Sequence, residues 1–319
     1  MRVIEFSEYG PPGVLRVAEV EEPHAGPGQI RIATRASGLS VGETAIRAGR
    51  YREILPASFP WRTGFDAAGV VDEIGPGAVD LAAGVRIGDE VFGMATMEGR
   101  AANADFVVLA AWAPKPAVWG WEEAGGAAGS VETATRVLDR LQVRSGHTVL
   151  VQGAAGGVGS VAVQLAVARG ARVIGTASEG NHGFLRGLGA EPTTYGPGLE
   201  ERVRKLGAED VDAVFDCAGG SLPQLVAIAG DPGRVVTIAD FSAAQYGVHM
   251  SHSAPADETG EAVGAADQLA VHGLAEAVRL AGQGKLRIPV AATFALEEAP
   301  AAHELSERKH APGRIVFRH

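Results

Sequence analysis

The stretch VLVQGAAGGVGSVAVQLAVARGARVIGTASEGN, residues 149–181, decides the fold class of this chain. It contains an apolar run, a cluster of glycines, a helical pattern and a second apolar run, in that order. This order predicts a strand, a tight turn, a helix and a parallel strand, which together form the βαβ unit that binds dinucleotides. The turn AAGGVG fits the pattern A-x-G-x-x-G, so Ala154 replaces the usual first glycine.

The glycine turn predicts a cradle for phosphates. Gly156 would let the backbone approach a pyrophosphate, and Gly159 would let the helix pack closely on the strand. The helix N-terminus adds free N–H groups and a partial positive charge. An alanine at position 154 is tolerable if the turn needs no positive φ there. The alternative is a purely structural glycine turn. The residues predicted to bind the phosphates are Ala155, Gly156, Gly157 and Val158.

The end of the second strand bears on the choice of coenzyme. An NAD site has an acidic residue there, about 20 residues beyond the glycine turn, to bind the ribose. This chain has Ala177 and Ser178 instead. A small uncharged pair leaves room for a 2′-phosphate, so we predict NADPH, with Ser178 and Asn181 in its site. No cation follows directly, and the alternative is that Glu179 binds the ribose of NADH.

The pattern of elements predicts two domains, as expected for 319 residues. From about residue 118, strand-like runs alternate with helical windows, which predicts a doubly wound parallel sheet, the Rossmann fold, over residues 118–254. Residues 1–117 contain short apolar runs between glycine-rich turns, and QIRIATRAS (29–37) alternates with period 2, which is typical of strands. We expect residues 255–319 to complete this β-rich domain, with RIVF as a returning strand.

The composition excludes several classes of function. A net charge of −10 without any run rich in Lys or Arg argues against binding to nucleic acid. Cys217 is the single cysteine, which excludes an intrachain disulfide and a multi-cysteine zinc site. No apolar run reaches the length of a transmembrane helix. We therefore expect a cytoplasmic protein without membrane contact.

Seven segments in order along nearly the whole chain carry a resemblance to a known family. They are ASGLSVGETAIRAGRY, GFDAAGVVDEIGPG, GDEVFGM, VETATRVLDRLQVRSGHTVLVQGAAGGVGSVAVQLA, FLRGLGAEPTTYG, DAVFDCAGG and FALEEAPAAHELSERKHAPGRIVF. Together they resemble the zinc-free, zeta-crystallin-like quinone oxidoreductase branch of the medium-chain dehydrogenase/reductase superfamily. The resemblance implies a discontinuous β-rich, GroES-like catalytic domain interrupted by a Rossmann domain.

The resemblance also implies that the chain lacks zinc. In metal-dependent relatives a cysteine ligand stands at the position of Ser40, and a histidine–glutamate pair stands at Phe65–Asp66. Serine and phenylalanine cannot replace a thiolate and an imidazole on Zn²⁺. The four-cysteine structural lobe of those relatives is missing as well. We therefore predict no metal.

The activity that the resemblance implies is hydride transfer from NADPH to a quinone or an α,β-unsaturated carbonyl compound. Tyr51 matches a family position that faces the cleft and is predicted to hydrogen-bond the substrate oxygen. Ser40 stands where close relatives have Asn and is a second catalytic candidate. We expect Glu43 to be a helix-start or surface carboxylate, with a proton relay as the alternative. We expect Asp66 to stabilise the fold.

The other cofactor contacts are also implied by the resemblance. Thr133 matches a position near the nicotinamide and Tyr195 one on the adenosine side. Cys217, as a packed thiol, and Ala218 would border the adenine pocket. The remaining positions, at the nicotinamide and at the cofactor end, are Ala239, Phe241 and Arg314. The alternative is simple packing for Thr133 and Tyr195, and a solvated charge for Arg314.

The run QYGVHMSHS (245–253) predicts a last strand over residues 246–252, at the edge of the nucleotide-binding sheet. In relatives this strand pairs with its symmetry mate, so we predict a homodimer. Two other functions stay open. One is an enoyl-thioester reductase of the same superfamily, and the other is a non-catalytic NADPH-binding sensor.

Overall fold

The computed structural model describes residues 1–53, 56–78, 84–95, 101–208, 210–252, 267–309 and 311–319. Within them the chain forms two compact units: unit 1 comprises Met1–Ser130 and Val271–His319, and unit 2 comprises Val131–Ala270. Unit 1 is therefore discontinuous in sequence. Its first segment extends to residue 130 rather than 117, and the boundary predicted between 254 and 255 lies outside the described residues.

The elements alternate as the sequence patterns predict. The strands are β1 (Arg2–Phe6), β2 (Arg16–Glu19), β3 (Ile30–Leu39), β4 (Trp61–Arg62), β5 (Asp66–Ile74), β6 (Glu90–Ala95), β7 (Phe106–Pro114), β8 (Thr148–Gln152), β9 (Arg172–Thr176), β10 (Glu191–Thr193), β11 (Ala213–Asp216), β12 (Val235–Thr237), β13 (His249–Met250), β14 (Val290–Ala295) and β15 (Arg314–Arg318). The α-helices are α1 (Val41–Arg47), α2 (Trp121–Gly125), α3 (Ala128–Arg140), α4 (Gly157–Ala168), α5 (His182–Gly187), α6 (Leu199–Lys205), α7 (Leu222–Ala229), α8 (His272–Gly282) and α9 (Ala299–Glu307).

Unit 1 is built mainly of β-structure. A small sheet has the strand order β2-β1-β4, and a larger sheet has the order β14-β15-β3-β5-β6-β7. Strand β7 also pairs with β3, with Ile30 opposite Leu109, so β3, β5, β6 and β7 form a closed ring. The last strand, β15, pairs antiparallel with β3, with Ile315 opposite Leu39. The prediction that RIVF returns to the β-rich domain is confirmed.

The core of unit 1 follows from the period-2 pattern of its strands. Ile30 and Ile32 on β3 are fully buried and belong to one apolar cluster with Leu109. A second cluster joins Phe6 of β1 to Ile46 of α1 and to residues of α9 and β15. This second cluster fixes α1, and with it Ser40 before the helix and Tyr51 after it, which the sequence predicts to be catalytic.

Unit 2 contains a sheet of parallel strands. Among the described residues the order is β10-β9-β8-β11-β12-β13. From β8 in the middle, the chain first builds one side of the sheet and then the other, which is the strand order of the Rossmann fold. Leu150, Ile174 and Val214 are fully buried in its core, because strands covered on both faces are apolar throughout. The predicted fold class, a Rossmann domain plus a GroES-like domain, is confirmed.

The edge strand is shorter than the sequence predicts. Strand β13 spans only His249–Met250 and pairs with β12 at the edge of the described sheet. The preceding residues, Ala243–Tyr246, form a 3₁₀ turn. Gly247 then has a φ of 68°, a left-handed conformation that separates the turn from the strand.

The helices are short, with α3 of 13 residues and α4 of 12 residues as the longest in the described ranges. None of the helices in these ranges has both the length and the apolar character needed to cross a membrane.

Candidate functional site

The loops at the carboxyl ends of the parallel strands form one face of unit 2. Ligands of open α/β sheets bind at this edge, beside the point where the strand order reverses. In this unit the chain runs from β8 through β9 to β10 on one side and continues with β11 on the other side of β8. The strand order therefore reverses between β8 and β11. The predicted cofactor residues of unit 2 lie in these loops or at the start of α4, with the exception of Thr133 on α3.

The glycine turn between β8 and α4 explains why an alanine is tolerated. Gly153, one residue earlier, has a φ of 74°, whereas the φ of Ala154 is not positive. The N–H of Ala154 donates to the carbonyl of Thr176 at 3.0 Å. A Cβ at Gly175 would lie 2.9 Å from the methyl group of Ala154, so the turn and β9 meet here through small residues. Gly153 therefore supplies the left-handed conformation of the turn.

Two further glycines have different roles. A Cβ at Gly159 would lie 2.3 Å from the carbonyl oxygen of Gly153, so only glycine lets α4 pack at this distance. Gly156 is exposed, and a Cβ there would meet only that same oxygen, at 3.4 Å. Gly156 is also the N-cap of α4 and has no side chain to bind the first N–H groups of the helix. These N–H groups fit the phosphates of a dinucleotide.

Side chains that sequence reasoning missed hold the turn in place. The hydroxyl of Thr176 donates to Oε1 of Gln152 at 2.6 Å and accepts from the N–H of Gly153 at 3.0 Å. Gln152 and Thr176 are both buried at the carboxyl ends of adjacent strands. Each is a polar residue at the end of a largely apolar strand, and this pattern could have identified both from the sequence.

The residues that bear on coenzyme choice lie at the end of β9. Ser178 is exposed and accepts a hydrogen bond from Nδ2 of Asn181 at 3.3 Å. Glu179 is exposed as well, at the start of a 3₁₀ turn. Arg172, on the same strand, is paired with Glu191 at 2.7 Å. The end of β9 thus presents a neutral hydroxyl and amide together with one carboxylate.

A buried network joins the loops after β11 and β12. One carboxylate oxygen of Asp216 accepts from the N–H groups of Ala218 and Gly219, both at 3.0 Å, and the other accepts from Thr237 Oγ1 at 2.8 Å. The same Thr237 oxygen accepts from the N–H of Ala239 at 3.1 Å. The network therefore fixes the predicted site residues Ala218 and Ala239 relative to each other. Asp216 and Thr237 were not identified from the sequence.

Three predicted cofactor residues differ in exposure. Tyr195 and Phe241 are large side chains exposed at the carboxyl edge. Cys217 is half-buried, and burial, together with the nearby Asp216, raises the pKa of its thiol well above its ordinary value. A thiol of this kind remains protonated, which agrees with the prediction of a packed rather than reactive group.

Thr133 is half-buried on α3 beside a buried ion pair. Its hydroxyl donates to Oε2 of Glu132 at 3.2 Å. Glu132 is bound by Nε of Arg136, one helical turn later, at 2.7 Å. Arg136 also donates to the hydroxyl of Ser251. This buried pair was missed because sequence reasoning assigns charges on a helix to its solvated face.

Ser40 and Glu43 form a capping box at the start of α1 in unit 1. The hydroxyl of Ser40 accepts from the N–H of Gly42 at 3.2 Å, and the N–H of Ser40 donates to Glu43 Oε2 at 2.8 Å. The other oxygen of Glu43 accepts from the N–H of Gly64. The expectation of a helix-start carboxylate is therefore confirmed, but Glu43 is buried rather than at the surface.

Burial changes the ionisation of Glu43. It raises the pKa of this carboxyl to about 7. The N–H groups of Ser40 and Gly64 oppose this shift by stabilising the carboxylate. The charges of Asp66, which raises the pKa, and Arg314, which lowers it, act in addition. Glu43 thus titrates near neutral pH.

Asp66 and Arg314 form a buried ion pair in unit 1. Nη2 of Arg314 donates to both carboxylate oxygens of Asp66, at 3.1 and 3.0 Å. The N–H of Gly129, in the first turn of α3, donates to the same carboxylate at 3.1 Å. A Cβ at Gly38 would lie 2.3 Å from Nη2, so the pair requires glycine on β3. Asp66 stabilises the fold as expected, and the alternative that Arg314 is a solvated charge is wrong.

Tyr51 follows α1 and is half-buried against the apolar cluster that contains Phe6 and Ile46. Burial raises the pKa of its phenol above the ordinary value. The phenol is therefore protonated at neutral pH and can donate a hydrogen bond.

The residues at the positions of the zinc ligands do not fit a zinc ion. The hydroxyl of Ser40 caps a helix, Phe65 has no ligating atom, and the carboxylate of Asp66 is bound to Arg314 and Gly129. The part of the chain that the structure describes contains no group of three or more His, Cys, Asp and Glu side chains that could hold a metal.

Comparison with known proteins identifies related chains. The model of the alcohol dehydrogenase GroES-like domain matches residues 26–142, and that of the zinc-binding dehydrogenase matches residues 188–317. A quinone oxidoreductase from Rattus norvegicus is 30% identical over 247 residues, which cover 75% of this chain and 73% of that protein. The solved structure of the quinone oxidoreductase from Coxiella burnetii has a TM-score of 0.80 at 29% identity, with 100% of this chain and 99% of the other covered.

Similarity extends to polyketide synthases. The spectinabilin polyketide synthase system protein NorB from Streptomyces orinoci is 30% identical over 297 residues, or 91% of this chain. The chain spans only 13% of the length of NorB and between 5% and 8% of three other polyketide synthase proteins.

Proposed function

The chain belongs to the medium-chain dehydrogenase/reductase superfamily, with quinone oxidoreductases among its relatives, and on this premise we propose that it is a zinc-independent reductase. It transfers hydride from NADPH to a quinone or an α,β-unsaturated carbonyl compound. The observation that carries the proposal is the glycine turn before α4, where exposed Gly156 and the helix N-terminus fit a pyrophosphate.

Bound NADPH supplies the hydride, and the protein binds and orients its parts. The N–H groups of residues 155–158 would bind the pyrophosphate, while Ser178 and Asn181 would face the 2′-phosphate. The absence of an acid at Ala177 and Ser178 supports NADPH over NADH. The other contacts proposed for the coenzyme are Thr133, Tyr195, Cys217, Ala218, Ala239, Phe241 and Arg314.

The substrate oxygen gains negative charge when hydride arrives at an enone or quinone. Tyr51 is proposed to donate a hydrogen bond to this oxygen, which is supported by its protonated, half-buried phenol. Ser40 is the second catalytic candidate. Because its hydroxyl already accepts from Gly42, it retains its proton to donate to a substrate.

Zinc independence, a cytoplasmic location and a homodimer are parts of the same proposal. The absence of a thiolate at Ser40 and of an imidazole at Phe65 supports hydride transfer without a metal. The position of β13 at the edge of the described sheet supports pairing with a second copy along His249–Met250, the part of the predicted range 246–252 that is a strand.

A second candidate function is an enoyl-thioester reductase, which the match of 91% of this chain to NorB favours. Both candidates deliver hydride to a carbon that is conjugated with a carbonyl group. They differ in the acceptor, because a thioester substrate carries a coenzyme A or carrier group. A non-catalytic NADPH sensor is the third possibility, and it predicts binding without turnover.

A fluorescence titration with NADPH and NADH, followed by an acceptor screen, tests the proposal. We expect tighter binding of NADPH, and its oxidation by a simple quinone or enone. Preferential turnover of enoyl thioesters would support the second candidate instead. Tight NADPH binding without oxidation by any of the three acceptor classes would refute both enzymatic functions. Equal or tighter binding of NADH would overturn the choice of coenzyme.

A further inference from the structure

The loop after β10 is organised around one arginine. Arg202 of α6 donates hydrogen bonds to four consecutive backbone carbonyls, those of residues 194–197. Its Nη1 reaches the carbonyl of Pro197 at 2.8 Å, and its Nη2 reaches that of Thr194 at 3.0 Å. The guanidinium group therefore connects the whole loop to α6.

The conformation of the loop suits this contact. Gly196 and Gly198 have φ values of 88° and 78°, which let the backbone curl around the guanidinium group. Gln224 of α7 donates to the carbonyl of Gly196 at 3.4 Å, so a second helix also holds the loop. The planar guanidinium, with five N–H donors, can satisfy several carbonyls in one arrangement, which the ammonium group of lysine cannot.

The same contact determines the side chain that the loop presents. The carbonyl of Tyr195 accepts from Arg202, while 57% of the tyrosine surface is exposed. The loop also lies beside the proposed coenzyme site, because β10 pairs with β9 and the N–H of Ala177 donates to the carbonyl of Thr193 at 3.0 Å. Tyr195 is thus an exposed aromatic ring on a loop that is fixed before any ligand binds.

We propose that Arg202 is a positioning residue for the adenosine half of the coenzyme, because it holds Tyr195 as a preformed stacking surface. This inference rests on the proposed function. Arg202 acts through the loop and does not bind a phosphate directly, since its Nε, Nη1 and Nη2 atoms all donate to the loop carbonyls. A preformed surface spares the binding reaction the cost of ordering the loop and the ring.

The test compares NADPH with reduced nicotinamide mononucleotide, which lacks the adenosine half. Arg202→Met retains a long unbranched side chain and removes all the hydrogen-bond donors of the guanidinium group. We expect it to raise the Kd of NADPH about five- to tenfold, as for the loss of one or two ordered contacts. The Kd of reduced nicotinamide mononucleotide and the kcat at saturating NADPH should stay within about twofold of wild type.

Two further variants make the test specific. Arg204→Met is the matched control, because Arg204 is exposed on the same helix and pairs with Glu200. Arg204→Met should change neither the Kd of NADPH nor that of reduced nicotinamide mononucleotide. If Arg202 acts through Tyr195, the double variant Arg202→Met/Tyr195→Ala should bind NADPH about as weakly as Tyr195→Ala alone. Arg202→Lys, which retains the charge, should lie between wild type and Arg202→Met and provides a milder variant if Arg202→Met does not fold.

The possible failures are distinguishable. Unchanged NADPH affinity in Arg202→Met overturns the inference alone, provided that the wild-type protein binds NADPH. An equal loss of affinity for both nucleotides also overturns it, because that result indicates general destabilisation of unit 2. A wild-type protein that binds neither NADPH nor NADH overturns the proposed function and this inference with it.

Discussion

At the residue scale, Glu43 shows how burial changes the chemistry of an ordinary helix cap. Its two oxygens accept from the N–H groups of Ser40 and Gly64, yet burial raises its pKa to about 7. The capping partner is visible in the sequence, since Ser40 and Glu43 have the spacing of a capping box. The burial of Glu43 is not visible in the sequence, because the contacts around it include residues distant in sequence, such as Gly64.

The raised pKa of Glu43 predicts how stability depends on pH. The folded protein binds this proton more tightly than the unfolded chain, whose carboxyl has the ordinary value near 4.5. The contribution to stability is therefore complete below pH 4.5 and is lost as the pH rises through 7. Its full size is about 3 kcal/mol. Urea denaturation should show that Glu43→Gln lacks this decrease between pH 5 and pH 8.

The matched control for this prediction is Glu123→Gln. Glu123 accepts from the N–H of the N-cap residue Gly120 at the start of α2, as Glu43 accepts from the N–H of Ser40, but it is only half-buried. Glu123→Gln should show the same decrease in the free energy of unfolding between pH 5 and pH 8 as the wild type. Equal pH dependence in wild type and Glu43→Gln would show that Glu43 does not titrate in this range.

The buried pair of Asp66 and Arg314 gives a second prediction at this scale. Arg314→Met leaves the carboxylate of Asp66 buried without its counter-ion, so we expect the free energy of unfolding to fall by about 3–5 kcal/mol. The double variant Asp66→Asn/Arg314→Met should recover part of this loss. Denaturation of the two variants measures the difference, and a double variant as unstable as Arg314→Met would refute the explanation.

At the element scale, the turn between β8 and α4 was predictable because its chemistry is local. Glycines at fixed spacing between an apolar strand and a helix fit few other structures. The bounds of β13 were not predictable from periodicity. The alternation of residues 246–252 predicts a strand from residue 246, but a 3₁₀ turn and the left-handed Gly247 delay the start of β13 to His249. The burial of Glu132 and Arg136 was missed because charges on a helix are usually solvated, and because Ser251, which binds Arg136, is distant in sequence.

Two glycine variants separate the packing role of the turn from its proposed binding role. Gly159→Ala should lower the thermal unfolding temperature, because its Cβ would lie 2.3 Å from the carbonyl of Gly153. Gly156→Ala meets no such clash in the protein, so its unfolding free energy should stay within about 0.5 kcal/mol of wild type. It should still weaken NADPH binding, since the new methyl group occupies the approach of the phosphates. Full NADPH affinity in Gly156→Ala would contradict the proposed cradle.

At the scale of the whole molecule, the order of the elements was predictable and the buried polar contacts were not. Periodicity and the resemblance together predict a Rossmann domain inserted into a GroES-like domain, and the structure has both units. The contact of Asp216 with Thr237 joins the ends of two strands that only the folded sheet brings together. The contacts of Arg202 with residues 194–197 are local in sequence, but they depend on the conformation of the loop. Patterns in a single sequence do not encode such contacts.

The central claim is the proposal that the protein reduces a quinone or enone with NADPH and without zinc. The most direct measurement is the rate of NADPH oxidation with a simple quinone, and with an enone, by protein freed of metal with a chelator. We predict turnover with at least one acceptor that is unchanged by the chelator and by added zinc, and that is slower with NADH. Absence of turnover with both acceptors, or turnover that requires zinc, would contradict the claim.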